Sequence, residues 1–437
     1  MAQFTRTANF GSSNDSSCVL SFWIKKTKNE TVQGLFLGWN GSTNYATCYV
    51  NNDDTIYYKE KQGGTQYETR ITSGARKFRD INAWYHFVFQ WDYAQATASN
   101  RIKVWINGEL QTWENTGNLP PQNNSLRLKI SDFRIGTYTA DGSTYYDWQG
   151  LMSHVHFIDD ATYNTYQAST FGETDSTTGE WKINVSPTIS DYGPQGFFIL
   201  KNDNLGTDRS GKGNNLTANG TITKTEDCPS NVFCTLNSLV NGDGSYSLTN
   251  GNNKFTGTGP NDHTFGTLGA IGGKFYYETK WVTNPDKCFS GFTPAQLASN
   301  LGPTEVPVSK MSGLYRDDYF INVGDVNEGA YTNVSAGDIF GFAIDLSSSS
   351  GSRTLKTYKN GSLINTMTLS TSYENDIWLP VVGDTSSTDG VIECNFGNGY
   401  FGTTAVSSAG TNASNNGIFE YDVPAGYTAL STKGLNL

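Results

Sequence analysis

Apolar and polar residues alternate along most of this chain, and few segments repeat with a helical period. The run "AWYHFVFQWD", residues 83–92, reads as one long strand, with Trp84, His86, Phe87, Val88, Phe89 and Trp91 spread over both of its faces. A loop follows, then "RIKVWINGEL", residues 101–110, which reads as strand, Asn-Gly, strand. Asn-Gly is the strongest short hairpin signal, because both turn residues take the positive φ of a type I′ turn.

The same arrangement occurs twice. "GDIFGFAIDL", residues 337–346, is an alternating apolar strand closing on Asp345, and "TLKTYKNGSL", residues 354–363, follows its loop. Asp92 to Asn107 and Asp345 to Asn360 both span 15 residues. The flanks correspond too. "SCVLSFWIKKT" precedes the first copy and "GGKFYYETKWV" the second, with Tyr276, Glu278 and Lys280 on one face. Two strands follow each copy: "LRLKISDFRIGTY" and "DWQGLMSHVHFID", then "IWLPVVGD" and "GVIECNFGNGYF". The pattern predicts an all-β chain of two antiparallel β-sandwiches, each with strands alternating inward and outward.

One short helix is expected over Asp159–Thr170, capped by Asp159 or Asp160 and ended by Phe171-Gly172. "GPQGFFILK" reads as the closing strand of the first sandwich. The Gly-, Asn- and Thr-rich stretch that follows, with few large apolar residues, reads as a linker. The expected division is therefore 1–205, a linker over 206–238, and 239–437.

These landmarks resemble known families. The pattern "WYHFVFQWD…KVWINGEL…FRIGT…WQGLMSHVHFID" resembles the laminin-G-like, concanavalin-type jelly roll. The pattern "GKFYYETKW…GDIFGFAIDL…KTYKNGSL…LPVVG…NFG" resembles the SPRY domain, which shares that sandwich plan. "FGETDSTTGEW…YGPQGFFILKNDNLGTDRSGKGNNLT" resembles a connector between such modules in bacteriophage virion proteins, especially those of marine phages, and "FEYDVPAGYTALST" resembles the close of their SPRY-like modules. The resemblance implies a non-enzymatic virion surface protein, a tail-fibre component or a capsid fibre or decoration. Its implied partners are other virion proteins and cell-surface carbohydrate, and its implied assembly is a homo-oligomer, with a trimer favoured. No anchoring domain or coiled-coil heptad is read ahead of the first sandwich, which keeps the decoration reading open beside the tail-fibre one.

Composition narrows the classes. Charged residues are 16% of the 437, below the roughly 25% of ordinary domains, and Gly, Ser, Thr and Asn fill the deficit. Aromatics reach 13%, which suits sheets with aromatic faces and argues against disorder. The net charge is -11 with no basic cluster, so nucleic acid is set aside. No apolar run has signal-peptide or membrane-span character. The expectation is synthesis in a host cytoplasm, no membrane insertion, and release by lysis to a place on the virion. The six cysteines form no C-x-x-C pair, which disfavours structural zinc. Free thiols are expected over a local Cys228–Cys234 bridge.

Chemistry of an enzymatic kind is sparse. Glycoside hydrolysis needs two carboxylates placed across one bond. The E-x-D-x-x-E run of laminarinase-like relatives is missing, and "ETD" at Glu173 and "END" at Glu374 sit in turn-like sequence. His154 and His156 lie two apart on one strand, a conceivable metal pair but more simply a partly buried one. Sugar binding needs only an aromatic ring to stack on and polar groups for the hydroxyls. Two loops fit: Tyr138, Asp141, Tyr145, Tyr146, Asp147 and Trp148 in one, and Tyr315, Arg316, Asp317, Asp318 and Tyr319 in the other. Trp39 and Asn40 form a weaker third, and the plainer reading of all three is aromatic cover for a sandwich edge. No cofactor is required. Calcium, which the first family often holds, has candidate ligands in Asp92, Asp141 and Asp147.

Overall fold

A computed structural model describes the chain except residues 1, 7–14, 72–76, 116–118, 130–131, 160–164, 202–204, 241–245, 300–306, 325, 386–388 and 437. It is all-β, with two compact units, residues 1–224 and 225–437. Among the described residues, no helix is long and apolar enough to cross a membrane.

In the first unit a six-stranded sheet runs Phe197–Ile199, Gly150–Asp159, Ser17–Lys26, Trp84–Asp92, Ile102–Ile106, Glu109–Leu110. An eight-stranded sheet runs Trp113–Asn115, Thr65–Ile71, Ile56–Gln62, Tyr45–Val50, Gln33–Trp39, Asp132–Ile135, Gln3–Arg6, Thr217–Asn219. Alternation decides what lies between them. Phe87, Phe89 and Trp91 point into the core with Leu20, Phe22, Phe36, Cys48 and Tyr58. Burying that apolar area, at about 25 cal/mol per Å², is the main drive for the sandwich. The other face of Trp84–Asp92 is also buried, because Val88 packs with Val19, Ile158, Tyr166 and Phe171. This cover explains why the strand reads as apolar on both sides.

The second unit repeats the plan. Its first sheet contains, in order, Ser247–Thr249, Lys254–Thr256, Val391–Asn395, Lys274–Thr283, Ile339–Asp345, Thr354–Lys359 and Ser362–Thr368, with Thr428–Ala429 paired in parallel to Lys274–Thr283. The other runs His263–Phe265, Trp378–Asp384, Cys288–Pro294, Ser312–Tyr315, Tyr319–Asn322, Val326–Ala330. Trp281, Tyr277, Phe340, Phe342 and Trp378 fill the space between.

The duplicated hairpin uses the same bonds in both units. Asn107 (φ 49°) and Asn360 (φ 46°) each precede a positive-φ glycine, as a type I′ turn requires. The Asn107 side-chain oxygen accepts from the His86 N–H at 2.8 Å, and the Asn107 N–H donates to the His86 carbonyl at 3.0 Å. Asn360 makes the same two bonds to Ile339, at 2.9 and 2.8 Å. The matched aspartates cap the loops between. Asp92 accepts from the Ala94 N–H at 3.0 Å, and Asp345 from the Ser347 N–H at 3.0 Å.

Two expectations change. Of the helix expected over Asp159–Thr170, residues 160–164 lie outside the described residues, and among the described ones only Ala168–Phe171 is helical. Asp159 ends a strand and is buried against the Lys129 ammonium, the counter-charge that a carboxylate so buried requires. The stretch 206–238 is not one extended linker. Thr217–Asn219 pairs with Gln3–Arg6 and Leu216 joins the first core, whereas Cys234 and Leu236 join the second. Its few apolar residues suffice because each caps an existing core. All six cysteines are free.

Candidate functional site

The site is built on the outer face of the eight-stranded sheet. In Tyr45–Val50, Ala46, Cys48 and Val50 point into the core, which leaves Tyr45 and Tyr49 on the other face. In Ile56–Gln62, Ile56 and Tyr58 point inward and Tyr57 outward. The register aligns Gly34, Tyr49, Tyr57 and Arg70 as one row across four strands. Tyr49 and Tyr57 therefore stack, with centroids 5.6 Å apart at 12°. The Arg70 guanidinium lies 5.9 Å from the Tyr57 ring centre.

A small hairpin, Thr137–Tyr138 paired with Tyr146–Asp147, lies against this row. Gly34 makes the approach possible: a Cβ there would fall 2.0 Å from the Thr137 carbonyl carbon and 2.1 Å from the Tyr138 nitrogen. Tyr138 then stacks on Tyr49 at 4.4 Å and 6°, and Tyr146 on Tyr138 at 5.7 Å and 23°. The result is a column of four rings, Tyr57–Tyr49–Tyr138–Tyr146, whose last member is 40% exposed.

The hairpin's turn fixes a carboxylate beside the column. Asp141 Oδ1 accepts from the N–H groups of Ser143 and Thr144, both at 2.8 Å, and from Thr139 Oγ1 at 3.1 Å. The Thr144 and Ser143 N–H bonds, in that order, hold its carboxyl well below the usual carboxylate range, so it is ionised. Burial, reinforced by Tyr45 and Glu68, raises the Tyr138 phenol to about 12. Burial and then Glu68 raise Tyr49 further. Both phenols are neutral and keep their protons to donate.

Together these groups line an open cavity of about 280 Å³. Val32, Tyr49 and Asn51 line it from the sheet, and Tyr138, Ala140, Asp141, Thr144 and Tyr146 from the hairpin. It offers aromatic surface, phenol and amide donors, and one fixed acceptor of unit charge. Those are the elements of hydroxyl recognition.

Three of the expected site residues, Tyr138, Asp141 and Tyr146, thus meet at one cavity. Others from the same loop support it. Tyr145 receives a bond from Arg134 at 3.2 Å, and Asp147 ties down the Ala2 N–H at 3.1 Å and the Thr137 hydroxyl at 3.0 Å. Trp148 is half-buried against the core, its indole donating to the Leu151 carbonyl. Trp39 stacks on Tyr45 at 5.6 Å and supports Gly142 of the turn, while the Asn40 N–H bonds the Asn44 carbonyl.

The second loop forms no comparable site. Tyr315 is buried with Phe289, Met311, Ile321 and Val381, and Tyr319 packs against that cluster. Arg316 takes the turn's positive φ (60°) and lies 5.7 Å from the Tyr315 ring centre. Asp317 accepts from the Val334 N–H, and the Asp318 carbonyl from the Tyr331 N–H. In this tight turn Tyr315, Tyr319 and the Asp317 carboxylate are used by the fold, and the Asp318 side chain is exposed.

The calcium set is not assembled either. Among the described residues no three His, Cys, Asp or Glu side chains gather as metal ligands, and Asp92, Asp141 and Asp147 each accept local donors. His154 lies within a β-bulge between Ser153 and His156, at φ 48°. The Nδ1 atoms of His154 and His156 pair with Ser153 Oγ and Tyr192 OH, and both rings pack on Phe198. Glu173 lies in a short strand, Gly172–Thr174, not in a turn, and pairs with Lys182 opposite it, while Glu374 accepts from the Gly351 N–H.

Sequence reasoning missed Gly34, Tyr49, Asn51 and Tyr57. The signal was present as tyrosines at 45, 49 and 57, outward positions of strands whose alternate residues are apolar.

Residues 2–165 match the family described as the Concanavalin A-like lectin/glucanases superfamily. Over those residues the first unit is similar to that superfamily, in keeping with its two-sheet sandwich. No curated protein sequence matches the chain. Many solved structures resemble parts of it distantly, three of them as follows. The Ruminococcus gnavus IT-sialidase CBM40 bound to alpha2,6 sialyllactose is 15% identical over 31% of this chain and 72% of that one, TM-score 0.25. The TRIM65 PSpry domain is 14% identical over 37% and 88%, TM-score 0.29. The SPRY domain of human HERC1 is 18% identical over 35% and 95%, TM-score 0.25. Likenesses at that level say nothing of what this chain binds.

Proposed function

We propose that the first unit is a non-catalytic glycan-binding module, displayed on a bacteriophage virion as part of a fibre or decoration. The observation that carries the binding reading is the fixed, ionised Asp141, which lines a cavity of about 280 Å³ beside the tyrosine column. Sugar rings take just such a pairing, an apolar surface with convergent hydroxyl partners. The match of residues 2–165 to a lectin and glucanase superfamily is in keeping with it. The carboxylates nearest a hydrolase motif, Glu173 and Glu374, engage a lysine and a loop N–H respectively, which favours binding over hydrolysis.

The virion placement rests on the connector and the closing segment, which resemble those of phage virion proteins. Its partners are then other virion proteins and a host or environmental glycan, in a symmetric oligomer, a trimer by family resemblance. A glycan array probed with the full chain and with Tyr146→Ala tests the binding reading. Binding by the wild type, lost in the variant, supports it. Silence across the array, or sugar release without retention, contradicts it. Immunogold labelling of particles tests the placement: gold on the tail supports an adhesin, gold over the head a decoration, and unlabelled particles remove the virion reading.

A further inference from the structure

We infer that the cavity takes neutral, hydroxyl-rich sugars and turns away carboxylated or sulfated ones. This deepens the glycan-binding reading and rests on it. Among the described residues that line the cavity, Asp141 alone carries a charge, and it is negative. It cannot be relieved by protonation at ordinary pH, because three donors converge on Oδ1. Glu68, which is paired with Lys59 at 3.5 Å, also lies close enough to act on Tyr45, Tyr49 and Tyr138, but its charge is already met by that lysine.

The cations nearby are committed elsewhere. Arg70 lies over Tyr57, at the far end of the column from Tyr146. Arg134 bonds the Tyr145 hydroxyl and lies 5.5 Å from that ring's centre. Neither lines the cavity. An anionic sugar would therefore meet like charge with no guanidinium to receive it, and recognition of carboxylates and sulfates ordinarily recruits one.

The neutral groups point the same way. The buried phenols of Tyr49 and Tyr138 donate, and the Asp141 carboxylate accepts, so a vicinal diol finds both roles filled within one cavity. The rings of the column use their faces on each other, which leaves Tyr146 as the exposed platform. A volume just below the ~300–1,000 Å³ of drug-sized sites suits one or two sugar units.

The test is calorimetric titration of the full chain with matched pairs, each neutral glycan beside its sialylated or uronate counterpart, at low and high salt. The neutral member should bind at least about tenfold tighter, with the gap narrowing at 1 M salt. Asp141→Asn keeps the turn's acceptor oxygen and should close the gap, and Thr144→Lys should raise affinity for the charged member alone. Charged members binding as well as neutral ones, through a site that Tyr146→Ala abolishes, would overturn the selectivity and leave the lectin reading standing. No binding by any pair, or binding indifferent to Tyr146→Ala, would overturn both.

Discussion

Tyr138 reaches across from a hairpin and lies flat on Tyr49 of the sheet, their rings 4.4 Å apart and 6° from parallel. The contact exists because Gly34 has no side chain to hold the hairpin away. Gly34→Ala should cost about 1–3 kcal/mol, the usual toll of overpacking, and displace the hairpin. Thermal unfolding should show the loss in the first unit only, and glycan affinity should fall more steeply than that stability loss alone accounts for.

Asn107 and Asn360 can be exchanged for alanine as a matched pair. Each loses a clasp onto its neighbouring strand and places a Cβ-bearing residue without a compensating bond at φ near 50°. Each variant should lose about 1–2 kcal/mol in its own unit and nothing in the other. Differential scanning calorimetry of the two transitions checks this.

The histidines of the first unit make it sensitive to acid. Trp181 donates to His86 Nδ1 at 3.1 Å, so Nε2 carries the proton shared with Ser21. Burial first, and then His154, depress His86 from 6.5 to about 3. Burial depresses His154 to about 4 and His156 well below its ordinary value. A histidine held neutral on folding contributes stability that is complete above pH 6.5 and is lost as pH falls toward the folded value. At pH 5 His86 alone should cost about 2 kcal/mol. Glu60, raised by burial, opposes this in part.

The second unit carries groups of opposite sign. Burial raises Glu278 and Asp384 to about 7, so their contribution is complete near pH 4 and is lost as pH rises through 7. His263, depressed by burial, works against them. Urea melts at pH 7 and pH 5 should show the first unit weakening while the second holds or gains. Parallel weakening of both would contradict this assignment.

Glu278 also fastens the closing segment. Its carboxylate accepts the N–H groups of Glu420 and Tyr421, both at 2.9 Å, the Tyr276 hydroxyl and the Asn395 amide. Glu278→Gln would turn an NH₂ toward donors, at about 1–3 kcal/mol. Hydrogen exchange should quicken at 419–423 before it quickens in the sheet.

Much of this fold was legible because alternation, Asn-Gly turns and matched spacing are local signals. "WYHFVFQWD" and "IFGFAID" announce their strands, and Asp92 and Asp345 announce the loops that they cap. The linker misled because Leu216, Cys234 and Leu236 are isolated in sequence and become core only through distant partners. The site was half legible. Its hairpin advertised Tyr138, Asp141 and Tyr146, but Tyr49 and Tyr57 face them only through a cross-strand register that short-range reading does not supply.

The central claim is that a sugar sits between Tyr146 and Asp141. The most direct measurement is a crystal structure of the full chain soaked with the tightest glycan found on the array. The account predicts a sugar ring against Tyr146, with a hydroxyl within hydrogen-bond distance of the Asp141 carboxylate. A glycan seated anywhere else, with this cavity empty at saturating ligand, would contradict it.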